Sequence, residues 1–143
     1  MIEKLIELIN KNFTNKITGT RVENGNEAYV EVSGTYNREV CSFIYNNIEC
    51  ALVSLFANDG GTGCITVYYA FAVRKAGCLL NIVARVKNGE ALKSVASVIP
   101  AACLYEREVK DMFGIDFEDL VDDRELVFHE NWPDGVHPLL KSF

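Results

Sequence analysis

Apolar residues recur along this chain with two different periods, and the switches between them lay out its elements. Ile2, Leu5, Ile6, Ile9 and Phe13 stand three or four residues apart, which predicts an amphipathic helix over residues 2–13. The period then drops to two. Ile17–Val22 and Ala28–Val32 flank Asn24-Gly25, a dipeptide able to supply the positive φ values of a tight hairpin. Ala28, Val30 and Val32 alternate with Glu27, Tyr29 and Glu31, so the second strand should have one covered face and one partly wet. Beyond Ser33-Gly34-Thr35, the spacing of Val40, Phe43, Ile44 and Ile48 predicts a second helix over residues 37–48. Three strands, Cys50–Ala57, Cys64–Val73 and Cys78–Val86, are expected to form an antiparallel meander. Glu90–Ile99 predicts a helix that Pro100 stops, because a residue before proline is pushed out of the helical region. A last helix over Ala101–Phe113 should end at Gly114 in a left-handed cap.

This order predicts a two-layer α+β fold, helix-β-β-helix-β-β-β-helix, with the helices on one side of a mixed sheet and an irregular C-terminal tail. Residues 1–115 read as the compact domain and residues 116–143 as an extended tail, in which Phe117, Phe128, Trp132 and Phe143 are dispersed without periodicity. Such a tail either packs back on its own domain or lies across another protein.

Composition narrows the classes. A chain of 143 residues, 49% hydrophobic and 24% charged, has the size and balance of one domain with a proper core. Its longest apolar run, Cys64–Val73, is broken by Thr66 and is too short to cross a bilayer, so a soluble protein without membrane insertion is expected. The first residues mix acids into the apolar pattern and lack a basic segment and cleavage site, which argues against secretion. Cys41, Cys50, Cys64, Cys78 and Cys103 lie in apolar segments without a Cys-x-x-Cys, and read as reduced thiols of a cytoplasmic core. Residues 1–103 carry 9 acids and 10 bases, residues 104–143 carry 11 acids and 4 bases, so the net charge of −6 comes entirely from the C-terminal end. That balance disfavours nucleic acid and anionic lipid, and leaves a solvated acidic tail or a docking tail. The turn Gly60-Gly61-Thr62-Gly63 precedes a β-branched run instead of a helix, so it reads as a hairpin loop and not a phosphate cradle.

On a helix over residues 101–113, steps of ~100° place Ala101, Leu104, Tyr105 and Met112 on one apolar face, with Glu108 in its middle and Asp111 at its edge. Glu106, Arg107 and Lys110 would point away. A carboxylate among apolar side chains requires a donor, either internal (a sheet amide or Arg85) or from a partner. Arg107–Asp111 and Glu106–Lys110 are spaced as i, i+4 pairs. A metal or acid–base site can also be assembled from His129, Glu130, His137 and Asp111, the basis of an alternative reading as a stand-alone metal-binding enzyme. The two histidines nevertheless lack the spacing of a known zinc motif.

The run Tyr105-Glu106-Arg107-Glu108, then Asp111-Met112-Phe113-Gly114-Ile115-Asp116-Phe117-Glu118, then Trp132 and His137-Pro138-Leu139, resembles the signature of the thirty-kilodalton subunit of respiratory complex I (NADH:quinone oxidoreductase). That family extends to the equivalent subunit of energy-converting, membrane-bound nickel–iron hydrogenases. The likeness is close over Leu104–Glu118, and the thirteen-residue interval between Glu118 and Trp132 agrees with it; residues 1–100 share only the order of elements. The resemblance implies a non-catalytic peripheral subunit without flavin, metal or iron–sulfur cluster of its own. Such a subunit docks on the large catalytic-type subunit, near an iron–sulfur subunit, on the cytoplasmic face of the membrane. Carried over by position, the interface would comprise Glu106, Arg107, Glu108, Asp111, Phe113 and Gly114 at the helix end and Trp132, His137, Pro138 and Leu139 in the tail, none of them a chemical catalyst. Asp119-Leu120-Val121 and Arg124-Glu125 depart from the Gly-His-Pro and paired arginines usual in the family, and Leu140 stands where a base is usual, so partner choice is expected to be written there. The modest length tilts the expectation towards the hydrogenase branch.

Overall fold

The stripe of Ile2, Leu5, Ile6 and Ile9 forms helix α1 (Ile2–Asn12), whose Ile2 and Ile9 are buried. Phe13, just past its end, meets Phe43 edge-on at 5.3 Å. A computed structural model describes the protein over residues 1–87 and 89–142; Phe143, one of the dispersed tail aromatics, lies outside the described residues. Strands β1 (Ile17–Glu23) and β2 (Glu27–Val32) follow as the expected hairpin, with Asn24 and Gly25 both at positive φ (52° and 71°). In β2, Ala28, Val30 and Val32 are buried and the residues between them half-buried, the alternation read from the sequence.

Helix α2 (Asn37–Asn47) then leads into β3 (Ala51–Asp59), β4 (Cys64–Val73) and β5 (Cys78–Lys87). These three pair antiparallel as the predicted meander, and β5 also pairs parallel to β2, with Val30 opposite Ile82. The resulting mixed sheet has the order β1-β2-β5-β4-β3. Leu80, Ile82 and Ala84 of β5, Val67, Tyr69 and Phe71 of β4 and Ala28 and Val30 of β2 point to one face, where they form the core with Ile9, Val40, Ile44, Ala102 and Val109 of the helices. The opposite face carries Tyr29, Glu31, Phe56, Tyr68 and Arg85, with Phe56 stacked on Tyr68 at 5.0 Å. The glycine-rich segment is the β3–β4 loop.

Residues 90–99 correct one expectation. Instead of a helix, the chain forms a short strand, β6 (Ala91–Lys93), paired parallel to β7 (Asp116–Glu118), followed by a single turn closed by Ile99 N–H on Val95 C=O at 2.9 Å. Leu92, Val95 and Ile99 are buried at a helix-like spacing, which is what misled the periodicity. The backbone here has better partners elsewhere: Asn37 Nδ2 donates to Lys93 C=O at 2.7 Å, and Ser94 N–H donates to Glu118 C=O at 2.8 Å. Tertiary pairing with a strand more than twenty residues downstream overrides the local pattern. Helix α3 (Ala102–Phe113) ends as expected at Gly114, in the left-handed conformation (φ 73°, ψ 18°).

Candidate functional site

Helix α3 turns a different face inward from the one expected. Its buried residues are Ala102, Glu106, Arg107, Val109, Asp111 and Phe113, whereas Leu104 is 57% exposed and Glu108 is exposed. Tyr105 and Met112 are half-buried at the margin, with Tyr105 O–H donating to Val53 C=O at 3.3 Å. Glu106 rather than Glu108 is therefore the carboxylate set into the core. Counting large apolar side chains favoured the stripe through Leu104. The decisive element is a pair of donors on the turn after β6, which the helix sequence does not reveal.

Those donors are internal. Glu106 is fully buried, and its two oxygens accept from Ser94 Oγ at 2.6 Å and Val95 N–H at 2.7 Å. Burial raises the Glu106 pKa above the ordinary carboxylate value; the bonds from Ser94 and Val95 and the nearby charge of Arg38 act the other way. Arg38 closes the same corner by donating from Nε to Ser94 C=O at 2.7 Å and pairing with Asp119 at 2.9 Å.

Neither predicted i, i+4 pair forms. Arg107, 9% exposed, donates from Nε to Arg124 C=O at 2.9 Å and from Nη2 to Glu125 C=O at 3.3 Å, and its Nη1 lies 3.4 Å from Asp122. Asp111, 5% exposed, accepts through Oδ2 from the backbone N–H groups of Leu126 and Val127, both at 2.9 Å. One turn of α3 thus grips four consecutive tail residues, a cation on two carbonyls and a carboxylate on two amides. Lys110 faces Asp116 and Asp123 at 3.6 and 3.9 Å instead of Glu106. Asp122 accepts both guanidinium contacts from Arg124 at 2.8 Å, which holds its carboxyl well below the usual range.

The end of the tail returns to the end of α3. His137 Nδ1 lies 2.8 Å from Asp111 C=O; a carbonyl can only accept, so Nδ1 carries the proton. Leu139 N–H donates to Met112 C=O at 3.0 Å, and Lys141 N–H donates to the Asp59 carboxylate at 2.8 Å. The bonds from Lys141 and Gly61 lower the Asp59 pKa. Gly114 is required where these segments meet: a Cβ there would stand 2.6 Å from the His137 ring, and its φ is positive. Between the two anchors, Phe128 and Trp132 stack at 4.6 Å, and Trp132 Nε1 donates to Val136 C=O at 2.8 Å.

Of the ten residues carried over as an interface, Glu106, Arg107, Asp111 and Phe113 are buried behind the surface. Trp132, His137 and Pro138 are half-buried, and Glu108, Gly114 and Leu139 are exposed. The acceptors and donors that Arg107 and Asp111 find on residues 124–127 were missed by sequence reasoning, because backbone groups leave no mark in a sequence. Among the described residues no three metal-ligating side chains come together, so His129, Glu130, His137 and Asp111 form no metal cluster. No helix among the described residues is long and apolar enough to cross a membrane.

The buried Glu106–Arg107 pair, Asp111 and the Gly114 cap lie within a match that runs from residue 30 to residue 143, to the family described as respiratory-chain NADH dehydrogenase, 30 Kd subunit. The chain belongs to this family. Among its relatives, formate hydrogenlyase subunit 5 of Escherichia coli (strain K12) is 37% identical over 117 residues, which cover 79% of this chain and 21% of that protein. An NADH-quinone oxidoreductase subunit of Rickettsia bellii (strain RML369-C) is 40% identical over 77 residues, 54% of this chain and 38% of that one. The chain therefore spans about a fifth of the first relative's length and well under half of the second's. A chain in the structure of the membrane-bound sulfane sulfur reductase, an archaeal respiratory membrane complex, superposes with a TM-score of 0.84 at 21% identity, covering 99% of this chain and 84% of its own; this likeness concerns the fold. The 30 Kd family resemblance read from the signature residues is thus upheld, and its named relatives are subunits of a formate hydrogenlyase and of an NADH-quinone oxidoreductase.

Proposed function

We propose that this chain is a non-catalytic peripheral subunit of a membrane-associated electron-transfer complex of hydrogenase or NADH-dehydrogenase type. On this reading it docks through the end of α3 and the tail on the large catalytic-type subunit, near an iron–sulfur subunit, at the cytoplasmic face of the membrane, and holds no cofactor itself. The observation that carries the reading is the grip of Arg107 and Asp111 on residues 124–127. It presents Leu126 and Val127, 41% and 52% exposed, on a stretch whose backbone is already ordered. Val121 and Leu139 of the tail are also exposed, at 94% and 54%. Exposed apolar side chains on a pre-ordered backbone lower the entropic cost of association.

The ten carried-over residues then fall into two layers of one docking element. Glu108, Gly114, Trp132, His137, Pro138 and Leu139 stand at or near the surface that meets the partner; Glu106, Arg107, Asp111 and Phe113 fix that surface from behind. About four fifths of formate hydrogenlyase subunit 5 lies outside its match to this chain, so there the equivalent segment is covalently joined to a larger polypeptide, an arrangement consistent with a permanent contact. Limited trypsin digestion, alone and with the large subunit, tests the reading. Cleavage after Arg124, whose side chain is 81% exposed, is expected in the isolated chain and should be suppressed by the large subunit. Unchanged cleavage in the presence of the large subunit would reject docking by the tail.

A further inference from the structure

We infer that the cavity between the C-terminal turn of α3 and the loop over residues 128–137 is a receptor for a basic side chain, arginine in the first place, carried by the partner protein that covers this face. The inference rests on the docking reading for the source of that side chain, and on the cavity alone for its chemistry. The space is about 210 Å³, walled by Phe128 and Trp132 and ringed by Asp111, Asp123, Glu125 and Asp134. Cofactor and small-molecule pockets run at ~300–1,000 Å³, so this one suits a side-chain head group and not a flavin or nucleotide.

Three independent features select a cation. Glu125 and Asp134 make no ion pair among the described residues, and Asp123 has only Lys110, at 3.9 Å. Lys110, the one Lys or Arg among the described residues of the cavity wall, is itself held between Asp116 and Asp123. Asp111 is 5% exposed and uses Oδ2 for the tail amides, while Oδ1 accepts no hydrogen bond among the described residues. Because no fully buried side-chain oxygen among the described residues lacks a partner, Oδ1 is the part of Asp111 left open, on a residue that lines the cavity. The stacked rings of Phe128 and Trp132 supply the third feature: a π-face attracts a guanidinium, which can stack on the ring while its N–H groups reach carboxylates at its edge. Trp132 is held in that pose by its bond to Val136. A metal ion fits less well, since no three ligating side chains converge among the described residues.

Trp132 is the sole tryptophan of the chain, so it reports on its own cavity. Titrating the full chain at constant ionic strength with N-acetyl-arginine amide should change its fluorescence saturably, and the uncharged isostere N-acetyl-citrulline amide should not. The double variant Glu125→Gln/Asp134→Asn, altered only at exposed positions, should weaken the arginine response about tenfold with an unchanged urea midpoint. No saturable response to the arginine amide, an equal response to citrulline amide, or full retention of the response in the double variant would overturn the proposal. Capture of the large subunit separates the two readings. If wild type and double variant capture it equally, docking stands and the partner's basic side chain does not enter here. If wild type captures none while the arginine response persists, docking falls and the cation site stands.

Discussion

The sheet and the tail of this chain are held by opposite means. In the sheet, backbone ladders run the length of β4 and β5, each paired on both sides, and no single side chain is responsible for their position. In the tail after β7, few backbone bonds exist, and the chain is fixed at a few points by the side chains of Arg107, Asp111, His137 and Asp59. Stability in the first region is spread over many residues and lost cooperatively. In the second it is concentrated, so a segment can be freed while the domain stays folded. On the docking reading this is useful, because the segment is ordered before contact while Leu120 and Leu140 supply its packing against the core.

The strongest way to sharpen the contrast is to remove a tie that belongs to the core. Glu106→Ala leaves Ser94 and Val95 N–H without their acceptor and opens a cavity; a loss of about 3 kcal/mol in urea unfolding is expected, with the whole domain affected. Gly114→Ala acts at the joint between the regions. The strained φ and the approach of the His137 ring should together cost about 2 kcal/mol and displace residues 137–141, seen as a lower thermal midpoint with new proteolysis confined to the tail. Asp111→Ala should break the comparison open: amide exchange at Leu126 and Val127 accelerates by at least about tenfold, while the urea midpoint of the domain shifts by no more than about 1 kcal/mol. A midpoint shift as large as that of Glu106→Ala would show that the tail is part of the core after all.

The smallest effect concerns pH. Because burial raises the pKa of Glu106, the native state binds its proton more readily than the unfolded chain. Stability contributed by this group is therefore fullest below the ordinary carboxylate value and falls as pH rises through the interval up to the raised one. Glu106→Gln removes that dependence and retains an acceptor for Val95 N–H. Its stability relative to wild type should therefore rise between pH 4 and pH 7.5, by about 1 kcal/mol or less in unfolding free energy, measured as paired urea titrations. A constant difference across that range would show that Glu106 titrates alike in both states.

Elements whose cause is local were legible in the sequence. The Asn24-Gly25 hairpin, the alternation along β2 and the cap at Gly114 each follow from residues adjacent in the chain. What escaped depends on distant partners. β6 exists because β7 and Asn37 satisfy its backbone, and the inward face of α3 is chosen by the Ser94 and Val95 donors, which outweigh the larger apolar surface of Leu104. The candidate site was legible as a set of residues and not as a set of roles. The signature picked out Arg107 and Asp111, but their attachment to main-chain groups of residues 124–127 required the fold.

The parallel seam between β2 and β5 also gives the domain an order of birth. During synthesis the β1–β2 hairpin emerges early, yet the strand that flanks β2 on its other side is completed only when Lys87 has left the ribosome. Until then the inner edge of β2 carries unpaired backbone groups beside Ala28, Val30 and Val32, a template for wrong pairing with any extended chain nearby. Slowing translation between α2 and β5 would lengthen that exposure, whereas slowing it after Lys87 would find the seam already closed.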